Sequence, residues 1–125
     1  MMPAYTLNHL HHETRDVDGS VAFYKKVFGA ISEPPFERGG ATWVKVHLGD
    51  VAIMVTNRPC EINALARYQG LDHFGVMTDD FDATIATILK EGANIWFGPT
   101  KLDTGMRIAF VSGPDHIKIE VMEKI

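Results

Sequence analysis

The 125-residue chain is short of cysteine, of basic runs and of long apolar stretches, and each shortage removes a class of function. Its single Cys60 has no internal partner, so no disulfide framework is available to hold the fold. Twelve Lys and Arg stand against sixteen Asp and Glu, a formal net charge of −4, with no basic run or Arg-rich helix to follow a phosphate backbone. Nucleic acid is not an expected partner. No apolar run approaches the roughly 20 residues that a membrane-spanning helix requires. The opening residues MMPAYTLNHLHHETRD lack the basic-then-apolar order of a signal peptide. A membrane role is not expected, and the cytoplasm is the expected compartment. A Ser-His-Asp elbow, a Walker loop and a dinucleotide fingerprint are also missing.

What remains is the composition of one soluble domain, 46% apolar and 22% charged, at a length that can bury a core without a structural metal. The strongest feature inside it is a repeat. A shift of 64 positions lays Leu7-Asn8-His9-Leu10 on Leu71-Asp72-His73-Phe74, then Thr14 on Thr78, Asp16 on Asp80 and Asp18 on Asp82. Val21, Ala22 and Lys26 fall on Ile85, Ala86 and Lys90.

In both copies a His near the start of a strand precedes, by seven residues, an Asp placed to cap a helix. Apolar spacing predicts the helices: Val17, Val21, Tyr24 and Phe28 form one stripe, and Phe81, Ile85, Ile88 and Leu89 the other. Gly29 and Gly92 mark their ends. Strands are predicted over 41–48 and 51–56, with a weaker edge strand over 31–36 broken by Pro34 and Pro35. In the second copy they fall over 94–97, 106–111 and 117–122. The expected fold is α+β, with two tandem βαβββ modules forming curved mixed sheets around a cup-shaped site and the helices on the outer faces. One domain, 1–125, then comprises module one (1–58), a linker (59–69) and module two (70–125).

Strand alternation assigns side chains to faces. His9, His11 and Glu13 share one face of the first strand, His73, Gly75 and Met77 one face of its counterpart, and His116, Lys118 and Glu120 one face of the last strand. Two imidazoles, His9 and His73, and the Glu120 carboxylate can therefore converge as a two-His-one-carboxylate set, which suits a divalent first-row metal and leaves positions open for chemistry. His11 and Glu13, on the same face, are candidates for proton carriers or for partners that orient the ligands. His12, His47 and His116 read as satisfied or solvated polar side chains, Tyr24 as a core residue whose hydroxyl reaches the edge, and Cys60 as a linker residue without a neighbouring base. No cluster of cationic and hydroxyl groups of the kind a phosphonate needs is evident.

His9 ahead of Asp16, the segment Val21-Ala-Phe-Tyr-Lys-Lys-Val-Phe-Gly29 and the closing Ala109-Phe-Val-Ser-Gly-Pro-Asp-His-Ile-Lys-Ile-Glu120 resemble the vicinal oxygen chelate superfamily of glyoxalases, extradiol dioxygenases and bleomycin-resistance proteins. The resemblance spans essentially the whole chain. It implies that His9, His73 and Glu120 hold one divalent ion, Fe(II) in the favoured case and Mn, Ni, Co or Zn in others, and that a small substrate binds through neighbouring oxygens. Where glyoxalase-type members supply a fourth ligand, Met54 stands here, and a thioether is a poor ligand for a hard ion. Where they place an Arg for an anionic thiol conjugate, Glu13 stands, which implies repulsion of such an anion. Three ligands imply Fe(II) ring cleavage, with a glyoxalase-like lyase or isomerase as the alternative and a metal-free drug-binding protein as the rival. A homodimer is expected, because two curved sheets leave edges for a second copy to cover.

Overall fold

The computed structural model describes Ala4 and residues 6–61 and 71–125, and divides the chain into two compact units, 1–61 and 62–125. Most of the expected linker, 62–69, lies outside the described residues. The first unit runs β1 (His9–Glu13), α1 (Val17–Phe28), β2 (Ile31–Ser32), β3 (Phe36–Arg38), β4 (Ala41–Leu48) and β5 (Val51–Thr56). The second runs β6 (Phe74–Thr78), α2 (Phe81–Lys90), β7 (Asn94–Lys101), β8 (Arg107–Ser112) and β9 (Lys118–Glu123). Each unit has one helix and one mixed sheet.

In the first sheet the order is β1-β5-β4-β2, with β3 also on β4. β1 runs parallel to β5, and the remaining pairs are antiparallel. The second sheet, β6-β9-β8-β7, repeats the plan, with β6 parallel to β9. The edge strand expected over 31–36 is two short strands in the structure. Pro34 and Pro35, which lack N–H donors, lie in the gap between them.

Both helices begin as the repeat implies. The Asp16 carboxylate accepts from Gly19 N at 2.9 Å, and that of Asp80 from Ala83 N at 3.1 Å. Gly29 ends α1 in the left-handed region at φ 67°, which costs a residue without Cβ little. The buried stripes differ from the expected ones. α1 buries Val17, Ser20, Tyr24 and Val27, whereas Leu89, expected in the α2 stripe, is 61% exposed.

Hydroxyl pairing explains the first difference. Ser20 Oγ donates to Thr14 Oγ1 at 3.1 Å, so a polar side chain is satisfied inside the core. The second unit repeats the device in Thr78 and Thr84, whose hydroxyls are 2.7 Å apart. Leu89 follows the fully buried Ile88 by one residue, a step of about 100° around the helix that carries it out to solvent. Val44, Val46, Ile53 and Val55 form the buried side of the first sheet, and Ala109, Val111, Ile119 and Val121 that of the second. The opposite side of each sheet is left for the polar residues.

Candidate functional site

In the second unit, parallel pairing of β6 with β9 places Gly75 opposite Glu120, and His73 lies just ahead of β6. His73 Nε2 is 3.1 Å from Glu120 Oε1. The other ring nitrogen, Nδ1, is 3.0 Å from Asp72 Oδ2, and Lys118 Nζ donates to Asp72 Oδ1 at 2.9 Å. The Asp72 carboxyl is held below its ordinary range, first by its hydrogen bond with His73 and then by Lys118. Phe110 stands edge-on to the imidazole with ring centroids 5.0 Å apart.

This donor set fits a divalent ion. An imidazole nitrogen and a carboxylate oxygen lie side by side, and the remaining ring nitrogen is fixed by a second carboxylate, the usual way in which a metal-ligating His is oriented. Two donors are gathered in this unit, and among the described residues no group of three or more His, Cys, Asp or Glu side chains forms a metal-binding cluster. His9 belongs to the first unit, where its Nδ1 is 2.8 Å from Asn8 Oδ1.

The polar face of the first unit forms a cavity of about 560 Å³ that His9 and His11 line from β1. Strand register sets its rows. His11, Met54 and Lys45 lie side by side across β1, β5 and β4, and the next row holds Glu13, Thr56, Trp43 and Phe36. Met54 sits opposite His11 as Glu120 sits opposite Gly75, and positions 11 and 75 correspond under the 64-residue shift. The place matching Glu120 is therefore filled by a thioether, as the sequence implies.

His11 Nε2 lies 3.2 Å from Glu13 Oε1 and 3.4 Å from an Arg58 guanidinium nitrogen. A carboxylate that accepts and a guanidinium that donates flank one atom, so either protonation state of the ring finds a partner. Glu13 also accepts from Arg58 Nη2 and, at 3.1 Å, from Nε. The pairing raises the Arg58 guanidinium above its ordinary value, with the Glu13 hydrogen bond as the main cause. The repulsion of anions expected of Glu13 is offset by this pairing.

The remaining sequence candidates separate cleanly. His12 is buried and its Nδ1 is 2.9 Å from the hydroxyl of Tyr24, which is itself fully buried and does not reach the edge. His47 pairs with Glu33. His116 ends a short turn, Pro114–His116, in the left-handed region at φ 59°, and β9 starts only at Lys118, so His116 does not share the Glu120 face by strand alternation. The Cys60 carbonyl accepts from Arg15 at 3.2 Å.

The sequence reading missed a cationic cluster. Arg38 on β3, Lys45 on β4 and Arg58 beyond β5 all line the cavity of the first unit. They are far apart in sequence, and only the alternation of Trp43, Lys45 and His47 on β4 was available to signal one of them.

Comparison with known proteins follows the same lines. No curated protein sequence matches the chain significantly. Among solved structures, a glyoxalase family protein from Enterococcus faecalis superposes with a TM-score of 0.79 at 17% identity, over 94% of this chain and 97% of that one. The trypanothione-dependent glyoxalase I of Leishmania major gives 0.75 at 19%, over 96% and 87% of the two chains. Glyoxalase I from Zea mays gives 0.77 at 21%, covering 94% of this chain and 44% of that larger one. At these identities the likeness is one of fold. A family model describing the glyoxalase/bleomycin resistance protein/dioxygenase superfamily matches residues 6–121, and the chain belongs to that superfamily.

Proposed function

We propose that the protein is a divalent-metal-dependent enzyme that holds a small substrate through two neighbouring oxygens. The observation that supports this reading is the His73 and Glu120 pair, with Asp72 fixing the far nitrogen of the imidazole. His9 is the third ligand, carried over from the superfamily pattern. Bound Fe(II), the favoured ion, supplies Lewis-acid and redox chemistry to the paired oxygens. Zn, one of the alternatives with Mn, Ni and Co, would supply the first alone.

The chain's own residues do the rest. Asp72 orients His73, and Trp43 and Phe36 line the cavity beside His11. His11 holds or passes a proton at Nε2, with Glu13 and Arg58 positioning it. Ring cleavage of a catechol-type substrate is the leading reaction, because Met54 occupies the position from which a fourth ligand would come. The likeness in fold to glyoxalase I supports, as a second reading, a lyase or isomerase that consumes no oxygen. Under either reaction the enzyme works in the cytoplasm as a homodimer, whose second copy covers a free sheet edge.

Metal stoichiometry tests this reading. After anaerobic loading with Fe(II), Mn(II), Ni(II) or Zn(II), one ion per chain is expected, and Glu120→Ala should lose it. Oxygen uptake with catechols then separates the two reactions. An absence of bound ion in the unaltered protein overturns the enzyme reading in favour of a metal-free binding protein.

A further inference from the structure

Strand β7 reads Asn-Ile-Trp-Phe-Gly-Pro-Thr-Lys, and strict alternation would send Trp96 and Phe97 to opposite faces of the second sheet. The register prevents this. Ile95 pairs with Val111 and Phe97 with Phe110, so two steps along β7 are matched by one along β8, and Trp96 is the extra residue of a β-bulge. Both rings reach Phe110 as a result. The Trp96 centroid lies 5.0 Å from that of Phe110 and the Phe97 centroid 6.1 Å, with 6.4 Å between Trp96 and Phe97. Even so, Trp96 is 46% exposed and Phe97 48%. β7 ends the order of its sheet, so this aromatic surface stands at the sheet's margin.

The surface is continuous with the His73 and Glu120 pair. Gly75, Glu120, Phe110 and Phe97 form one row across β6, β9, β8 and β7, and Phe110 is edge-on to His73 at 5.0 Å. The Trp96 ring is therefore at most two steps of 5.0 Å from the imidazole. Among the described residues, guanidinium groups lie over Phe36, Trp43 and Phe81, and none lies over Trp96, Phe97 or Phe110. On the strands beside these rings, Lys118 donates to Asp72, and Arg107 to Glu123 and Asp82. An exposed, uncharged group of rings next to two polar donors suits a ligand with an apolar ring at one end and polar atoms at the other.

We propose that this face of the second unit takes a substrate in two parts: a head with two neighbouring oxygens at His73 and Glu120, and an uncharged aromatic ring against Trp96 and Phe97. The inference rests on the proposed function in taking that pair as the place of the oxygens. It adds the class of molecule that carries them, an aryl-substituted catechol for ring cleavage or an aryl-substituted α-hydroxycarbonyl compound for the lyase or isomerase. The short reach from imidazole to indole matches a molecule of two rings. Continuity of the row with the donor pair assigns the exposed rings to this ligand rather than to a second copy of the chain. Trp96 and Phe97 then set specificity and take no part in the chemistry.

The test uses the full chain loaded with Zn(II), which has no redox chemistry and so holds a catechol without turnover. The probes are 4-phenylcatechol, 4-cyclohexylcatechol and catechol. Calorimetry gives the affinities, and the Trp96 indole N–H signal, assigned by its loss in Trp96→Leu, reports the location. 4-Phenylcatechol is expected to bind at least tenfold tighter than catechol and threefold tighter than 4-cyclohexylcatechol, and to shift the Trp96 signal. Trp96→Ala and Phe97→Ala should each weaken 4-phenylcatechol at least fivefold more than catechol, with Trp96→Leu as the second variant should Trp96→Ala fold poorly. Equal affinity for 4-phenylcatechol and catechol, or an unmoved Trp96 signal at saturation, would overturn the proposal. A Trp96→Ala variant that keeps the phenyl preference and falls to a lower molecular mass in solution assigns the rings to a second copy and overturns it too. A chain that binds no zinc, yet still prefers 4-phenylcatechol and shifts Trp96, overturns the metal reading and leaves the ring site standing. Zinc binding without a phenyl preference does the reverse.

Discussion

Asp72 illustrates how a residue outside the proposed ligand set can govern it. Its carboxylate holds the Nδ1 side of His73, and Lys118 holds the carboxylate in turn. Asp72→Ala should weaken divalent-metal affinity about 10–100-fold while leaving the melting temperature close to that of the parent. Competition with a chelator of known affinity measures the first, and a thermal scan checks the second. His73 and Glu120 were legible from strand alternation because both lie on or beside regular strands with apolar neighbours on the other face. Asp72 carried no such signal, since adjacency to a His in sequence says nothing about where its carboxylate turns. Arg58 was hidden for a similar reason, lying in an irregular segment that no periodicity describes.

Among the elements, the helix starts were the clearest part of the sequence. A short carboxylate ahead of an apolar spacing of three to four residues has one good structural use, and both Asp16 and Asp80 serve it. Asp16→Ala and Asp80→Ala should each lower unfolding stability by about 1 kcal/mol, read from the shift in urea midpoint at unchanged slope. The buried stripe of α1 was less legible, because hydropathy counts Ser20 as polar although its hydroxyl finds a hydroxyl partner. The cationic cavity was the least legible element. It gathers one residue from each of two strands and one from beyond a third, and only the observed register brings those strands together.

For the molecule as a whole, Arg107 makes stability depend on pH. Its guanidinium donates to Glu123 from Nε and Nη2 at 3.0 Å and to Asp82 at 2.8 Å, and its centre lies 4.7 Å from the Phe81 ring centroid. Strand β8 is thereby tied to α2 and β9. The same contact holds the Glu123 carboxyl below its ordinary value of 4.5, and the guanidinium above its own. A carboxyl depressed in the folded state stabilises the fold above the unfolded value and loses that contribution as pH falls through the folded one. Glu123→Gln should therefore melt below the parent at neutral pH, with the difference closing as the buffer is taken below about pH 4.5. Thermal scans across that range measure it.

The register match between the two units has one more consequence. They share a strand plan, a capping carboxylate and a hydroxyl pair, buried in the first and part-buried in the second, yet at corresponding places one bears Met54 and the other Glu120. The halves are no longer interchangeable. A chimera built from the first half twice would keep Lys45 and carry Met54 in place of Glu120, and one built from the second half twice would carry the carboxylate at both places and lack Lys45.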